Sequence, residues 1–157
     1  AVSHAYGLGD LAPDAAKKIA ARIARSGVSI MTNAPGNHNF PPVALLRREG
    51  VTVFSGSDNI RDSWWPYGDG DMLHRAEIIG YRSGFYTDDE LAAAFDIVTA
   101  AGAKALRLEG YGIEVGAKAD FVSLAAGHVP EAVIAFPTRH NVFKQGRLVA
   151  ENGRVMR

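Results

Sequence analysis

Three short apolar runs in the first part of the chain have the length of β-strands. Residues 28–32 and 51–54 are predicted to be buried strands, and the shorter segment 1–5 is a third. A loop rich in Asn, Gly and Pro follows the run 28–32, over residues 33–42. The run 51–54 leads directly into residues 55–58, which are Ser-Gly-Ser-Asp.

Helices are predicted between these runs and after the last of them. Helical spacing of apolar residues predicts a helix over residues 13–25, with Asp10 as its N-cap, Pro13 in its first turn and Gly27 at its end. Further helices are predicted over residues 43–49, 71–83, 91–98 and 99–108, the third behind a Thr87–Glu90 capping box and the last after a break at Gly102. Strands that alternate with helices indicate an α/β fold with a parallel sheet.

The pattern changes after Leu108. Residues 121–124, 141–143 and 147–149 are short strand-like runs separated by glycines and tight turns. Such runs are typical of an antiparallel β unit. We therefore place a boundary near Glu109, with one unit over residues 1–108 and a second over 109–157.

Composition narrows the classes of function. The chain has 17 basic and 17 acidic residues, which argues against a nucleic-acid partner held by general electrostatics. No apolar run reaches the roughly 18 residues that span a bilayer, so no membrane association is expected. The lack of cysteine excludes a thiol nucleophile and zinc sites built from cysteines. A chain without cysteine is compatible with both reducing and oxidising compartments. We expect a cytoplasmic protein, although the start at Ala1 leaves open a targeting segment upstream.

Asp58 is the most informative candidate for chemistry. It lies just past the end of an apolar strand, which in α/β barrels is the active-site face. A carboxylate there can bind a cation or accept a proton from water. The alternative is an aspartate that only stabilises a turn, since Ser-Asp-Asn is common turn chemistry.

Other candidates are aromatic. His4 also follows an apolar run and would point into the same active-site face as Asp58. The alternative is a hydrogen-bonded structural histidine. His38 lies in the loop after the second strand, where a surface role is favoured over a place in a pocket. Trp64 and Trp65 stand in a polar loop. They either cover a flat ligand or pack into a small core of the loop itself.

Three ordered motifs then resemble one family. Residues 57–72, SDNIRDSWWPYGDGDM, are similar to the strand-8 loop of cytosine-deaminase-like amidohydrolases, and N-isopropylammelide amidohydrolases share this loop closely. Residues 2–5 resemble the end of strand 6 in that group. Residues 105–108 and 111–121 resemble the re-entry into the small β-sandwich of the superfamily.

The resemblance implies that the chain is part of a (β/α)₈ barrel. Residues 1–108 would supply strands 6–8, and residues 109–157 the C-terminal segment of the accessory β-sandwich. A whole barrel needs roughly 250 residues, so strands 1–5 lie outside this sequence. So do the His-x-His pair of strand 1 and the strand-5 histidine that bind metal in the family.

The resemblance also implies an activity. It is metal-dependent hydrolytic deamination of an amino- or alkylamino-substituted N-heterocycle, a cytosine-like pyrimidine or an s-triazine, with one zinc or iron ion. Asp58 would be the metal ligand and proton acceptor, and His4 would orient the attacking hydroxide or the intermediate. Trp64 would form an aromatic wall against the substrate ring. The full-length enzyme is expected to be a homo-oligomer.

One departure and one alternative accompany this reading. Cytosine deaminases often have His-Asp-Asp where this chain has Ser57-Asp58-Asn59, so the groups that meet the substrate differ. The amide of Asn59 has both a donor and an acceptor, which suits a ring with alternating C=O and N–H groups. The alternative is a non-catalytic fragment that needs the missing N-terminal part to form a site.

Overall fold

A three-stranded parallel sheet organises the first part of the chain. In this computed structural model, which describes residues 1–36 and 38–157, the strands are β1 (Val2–Ser3), β2 (Ile30–Met31) and β3 (Val53–Phe54). They pair in the order β1-β2-β3, with Val2 opposite Ile30 and Ile30 opposite Val53. Each strand lies inside one of the three predicted runs, and the parallel pairing agrees with the α/β pattern of the sequence.

A short 3₁₀ turn (Tyr6–Leu8) and helix α1 (Pro13–Ser26) connect β1 to β2, and α2 (Val43–Arg48) precedes β3. Gly27 ends α1 with a φ of 67°, as predicted. The predicted N-cap was wrong. Helix α1 begins after Ala12, and the Asp10 carboxylate instead accepts a hydrogen bond from the side chain of Asn39, on the loop after β2.

Three further helices follow β3: α3 (Met72–Ser83), α4 (Asp88–Ile97) and α5 (Ala100–Leu106). The Thr87–Glu90 capping box in front of α4 is present as predicted. The break between α4 and α5 lies at Thr99 rather than at Gly102, which is inside α5. The Thr99 hydroxyl donates to the Phe95 carbonyl, and Thr99 has φ −128° and ψ −99°, so the chain turns there.

The core lies between the sheet and the helices. Ile30 and Val53 of the two neighbouring strands are fully buried and belong to one cluster with Leu46 of α2, Ile79 of α3 and Ile97 of α4. Burial of large aliphatic side chains from strands and helices together holds the helices against the sheet. Within the part of the chain that the structure describes, no helix is long and apolar enough to cross a membrane.

The last part of the chain forms a four-stranded antiparallel sheet. Its strands are β4 (Phe121–Leu124), β5 (Arg139–Lys144), β6 (Arg147–Glu151) and β7 (Arg154–Val155), paired in sequence order. A two-residue turn with positive φ at Gln145 and Gly146 joins β5 to β6. The first three strands cover the predicted runs, and β7 was not predicted.

Helix α6 (Val129–Ala135) was also not predicted. It lies between β4 and β5 in the chain and packs against α3 and α4 rather than being part of the sheet. Ala132 and Val133 are buried in a cluster with Leu73 and Ala76 of α3. The 109–157 segment is therefore tied to the helices of the 1–108 segment by apolar contact.

Candidate active site

The carboxyl ends of the three parallel strands carry His4, Asn33 and Asp58. Backbone hydrogen bonds continue the sheet past the strand ends, from His4 N to Met31 O (2.8 Å) and from Thr32 N to Phe54 O (3.0 Å). These bonds keep the three chain segments in register. The edge opens into a cavity of about 560 Å³ whose lining includes His4, Tyr6, Asn33, Asp58, Trp64 and Arg75.

His4 and Asp58 face each other in this cavity. His4 Nε2 is 3.5 Å from Asp58 Oδ2, and the two side chains are 34% and 29% exposed. The structure thus brings together the two candidates that the sequence placed at strand ends. Both groups can still reach a ligand, because neither side chain is sealed from solvent.

The backbone at both positions is strained. His4 and Ala5 have φ of 66° and 47°, and Asp58 and Asn59 have φ of 47° and 27°. Non-glycine residues seldom adopt this left-handed region. Holding one there costs about 1–3 kcal/mol, and residues in this conformation are often found at functional sites. Positive φ also occurs at ordinary turns such as Gln145, so the candidate site is identified by its side chains and not by this backbone conformation alone.

Asn33 and Arg75 belong to the site, and the sequence analysis missed both. Asn33 is only 8% exposed, and its Nδ2 donates to Asp58 Oδ2 at 3.2 Å. Arg75 of α3 donates from Nη1 to the Asn33 carbonyl at 2.7 Å. Burial lowers the pKa of Arg75, and the carboxylates of Asp69 and Asp58 oppose this shift. Asn33 does follow the predicted apolar run over residues 28–32, and a position after such a run is the signal that identified Asp58.

A row of aromatic rings forms one side of the cavity. The Tyr6 ring is 5.0 Å from the His4 ring and stacks at 4.9 Å on His38. Burial raises the pKa of Tyr6, and the negative charge of Asp58 adds to this effect. His38 is exposed yet contributes to the cavity lining, so it lies at the rim.

Asp62 organises the tryptophan loop. Its Oδ1 accepts from the backbone N–H groups of Trp64 (2.9 Å) and Trp65 (3.0 Å), and its Oδ2 accepts from Asn59 Nδ2 (2.7 Å). Trp65 is partly buried against the edge of Tyr67, with ring centroids 5.5 Å apart. Trp64 is 85% exposed at the cavity. Both tryptophans line the cavity, Trp65 partly buried within the loop and Trp64 largely exposed.

The donor set at this edge fits part of a metal site. Asp58 and His4 supply a carboxylate and an imidazole, which suit zinc or iron. Residues 1–36 and 38–157 contain no group of three His, Cys, Asp or Glu side chains that could hold a metal ion. Asp58 and His4 would therefore have to be completed by ligands from elsewhere.

Unsatisfied polar atoms concentrate at the same edge. In the described residues, four buried side-chain polar atoms have no hydrogen-bond partner, and three of them are His4 Nδ1, Asn33 Oδ1 and Arg75 Nε. An unsatisfied buried polar group costs about 1–3 kcal/mol. Most buried polar groups in proteins are hydrogen-bonded, so these three atoms set this edge apart from the rest of the described residues.

A parallel sheet with polar side chains at its carboxyl edge, covered by helices, is the active-site layout of α/β enzymes. Comparison with known proteins narrows this class. The profile of the Amidohydrolase family matches residues 1–155, and the chain belongs to this family. The family resemblance seen in the sequence motifs is thereby confirmed.

Two relatives carry the same kind of name. Over 128 residues the chain is 37% identical to N-isopropylammelide isopropyl amidohydrolase of Pseudomonas sp. (strain ADP). These residues are 81% of this chain and 32% of that protein. It is 43% identical, with a TM-score of 0.94, to the crystal structure of N-isopropylammelide isopropylaminohydrolase from Burkholderia multivorans ATCC 17616, over 98% of this chain and 40% of that one.

A more distant structure shares the fold. The 5-methylcytosine deaminase from Klebsiella pneumoniae, liganded with 5-fluorocytosine, superimposes with a TM-score of 0.85 at 24% identity, over 95% of this chain and 40% of that one. The chain thus spans about a third to two fifths of the length of these relatives. This coverage and the mixed α/β architecture are those expected for part of a (β/α)₈ barrel.

The tryptophan loop yields a first prediction. Asp62→Ala removes the acceptor of the Trp64 and Trp65 amides, so hydrogen exchange at these two amides should accelerate by roughly tenfold.

The hydrogen bonds from Asn59 and from the two tryptophan amides lower the pKa of Asp62. The loop should therefore stay ordered above the ordinary carboxyl pKa of about 3.9 and loosen as the pH falls through the lowered value.

Hydrogen-exchange mass spectrometry of the 59–67 segment measures both effects. Asp89→Ala is the matched control, because Asp89 is exposed in the first turn of α4 and away from the loop. Equal exchange of the tryptophan amides in the two variants would contradict the role given to Asp62.

Proposed function

We propose that the chain is the C-terminal part of a metal-dependent hydrolase that releases an amine from an N-heterocycle. Residues 1–108 would supply strands 6–8 of the barrel, and residues 109–157 part of an accessory β-sandwich. The observation that carries this proposal is the approach of His4 and Asp58, 3.5 Å apart, at the carboxyl edge of a parallel sheet. The names of the relatives support the choice of substrate class.

Asp58 has two roles in this proposal, as a ligand of a divalent zinc or iron ion and as a proton acceptor. When bound, such an ion lowers the pKa of a water molecule toward 7. The Asp58 carboxylate then takes the proton of the attacking water, as a general base. His4 would donate a hydrogen bond from Nε2 to the oxygen that water adds to the ring carbon bearing the amine. As the C–N bond breaks, that oxygen becomes the ring C=O, one water proton stays on a ring nitrogen, and the other, taken up by Asp58, leaves with the amine.

The substrate would rest against Trp64. The ring of Trp64 is 85% exposed at the cavity, so it can cover the face of a flat heterocycle. Asn59 is the proposed polar contact at the ring edge. Because one of its N–H groups already donates to Asp62, its side-chain carbonyl would be the acceptor for a ring N–H.

A second candidate is that residues 1–157 have no catalytic function by themselves. It is favoured by the lack of a three-ligand group within residues 1–36 and 38–157. The metal content of two proteins is compared. Residues 1–157 alone should bind no stoichiometric zinc, whereas the same residues joined to strands 1–5 should bind one ion. Plasma emission spectrometry of the two purified proteins measures this difference, and one zinc ion per 157-residue chain would refute the proposed division of ligands.

The ligand assignment yields its own prediction. In the full-length enzyme, Asp58→Ala should lose most bound metal and at least about a hundredfold in kcat, because ligand and proton acceptor are removed together. Asp58→Asn should keep the fold, since the side chain has nearly the same shape. Metal content and turnover are measured on the same preparation, with Asp10→Ala as an exposed control. Activity of Asp58→Ala within about tenfold of the unaltered enzyme would make the assignment wrong.

The substrate class can be tested with a panel. It should contain cytosine, 5-substituted cytosines, isocytosine, ammelide and N-alkylammelides, with adenosine and a dipeptide as outsiders. We expect release of ammonia or an alkylamine from at least one heterocycle. Trp64→Ala should raise KM for that compound by roughly two- to tenfold, and Trp64→Phe should restore most of the loss because a ring remains. Turnover of the outsiders alone would end the substrate proposal but not the family assignment.

A further inference from the structure

The two carboxylate oxygens of Asp58 are held differently. Oδ1 accepts from the backbone N–H of the next residue, Asn59, at 3.1 Å. Oδ2 accepts from Asn33 Nδ2 at 3.2 Å and lies 3.5 Å from His4 Nε2. Asn33 is thus a neutral side-chain donor to the group proposed to bind metal and accept a proton.

Asn33 is itself fixed by helix α3. Arg75 Nη1 donates to the main-chain carbonyl oxygen of Asn33 at 2.7 Å. One further guanidinium on the same helix, that of Arg82, donates to the carbonyls of Pro35 and His38. Helix α3 therefore holds the loop after β2 at two points, and the first of them is the residue that contacts Asp58.

The chemistry of the two side chains suits this arrangement. An amide keeps its N–H donors at every pH, so Asn33 can donate to the Asp58 carboxylate without a change in its own protonation state. A guanidinium likewise stays charged, and its planar fork holds a fixed direction better than a flexible amine does.

We propose that Asn33 positions the Asp58 carboxylate and that Arg75 positions Asn33, so that α3 sets the orientation of the proposed metal ligand. This inference rests on the proposed function of Asp58. It is supported independently by the burial of Asn33, which is 8% exposed, and by the unpartnered Asn33 Oδ1 and Arg75 Nε atoms in the described part of the chain.

The test measures zinc affinity as well as turnover. Asn33→Leu removes the amide at similar volume, and Arg75→Met removes the guanidinium while Asn33 remains. Each variant of the full-length enzyme is stripped of metal and titrated with zinc against a chromogenic chelator. We expect zinc to bind roughly 10–100-fold more weakly in both, as is usual when a group that orients a metal ligand is lost. In zinc-loaded protein, kcat should fall while KM stays within about twofold, because Asn33 does not hold the substrate.

The chain offers a matched control on the same loop. Asn39 also donates from its side-chain amide to an aspartate, Asp10, but outside the cavity. Asn39→Leu removes the same kind of hydrogen bond and should bind zinc as the unaltered enzyme does. Arg75→Lys, which keeps a charged donor, should lie between Arg75→Met and the unaltered enzyme in zinc affinity.

The outcomes separate the inference from the function on which it rests. Retention of zinc by Asp58→Ala would overturn the proposed function. Loss of zinc by Asp58→Ala, together with unchanged zinc affinity in Asn33→Leu, would overturn the inference alone. If Asn33→Leu gives no cooperative melting transition, Arg75→Met decides, and its affinity within about twofold of the Asn39→Leu control refutes the inference.

Discussion

Parallel pairing of β1, β2 and β3 is the interaction on which the site depends. Each strand has only two residues in the sheet, and the bonds from His4 N to Met31 O and from Thr32 N to Phe54 O extend the pairing by one step. In a parallel sheet all carboxyl ends lie at the same edge. This constraint, and not any local motif, brings together side chains that are 25 and 54 residues distant from Asp58 in the chain, namely Asn33 and His4.

The elements that could be predicted are those with local signals. Gly27 and the Thr87–Glu90 box determine the ends of helices through backbone conformation and side-chain capping within four residues. The failures have non-local causes. Asp10 is a good N-cap residue by type, but its carboxylate is engaged by Asn39, 29 positions away. Helix α6 is short and His128 caps its N-terminus, but its place beside α3 depends on the packing of Ala132 and Val133, which the sequence does not show.

The site divides in the same way. Asp58 and His4 were found because each follows an apolar run, which is a pattern along the chain. Asn33 follows such a run too, but its neighbours are turn-forming residues, and the sequence alone favoured a loop. Arg75 could not be found, because its contact with Asn33 depends on how α3 crosses the end of β2. The position of a helix over a sheet is a property of packing, which periodicity does not encode.

Incomplete features of the chain support its proposed place in a larger enzyme. Val2 on the outer strand β1 is 47% exposed, whereas Ile30, its partner on the central strand, is 2% exposed. Ile113 is 94% exposed beside an apolar cavity of about 550 Å³, whose lining includes Leu73, Phe95 and Leu124. Large exposed apolar groups next to a groove mark a contact surface. In the proposed enzyme, the edge at β1 and the groove at Ile113 are the surfaces where the rest of the protein would pack. The same packing would bring the other proposed metal ligands to Asp58.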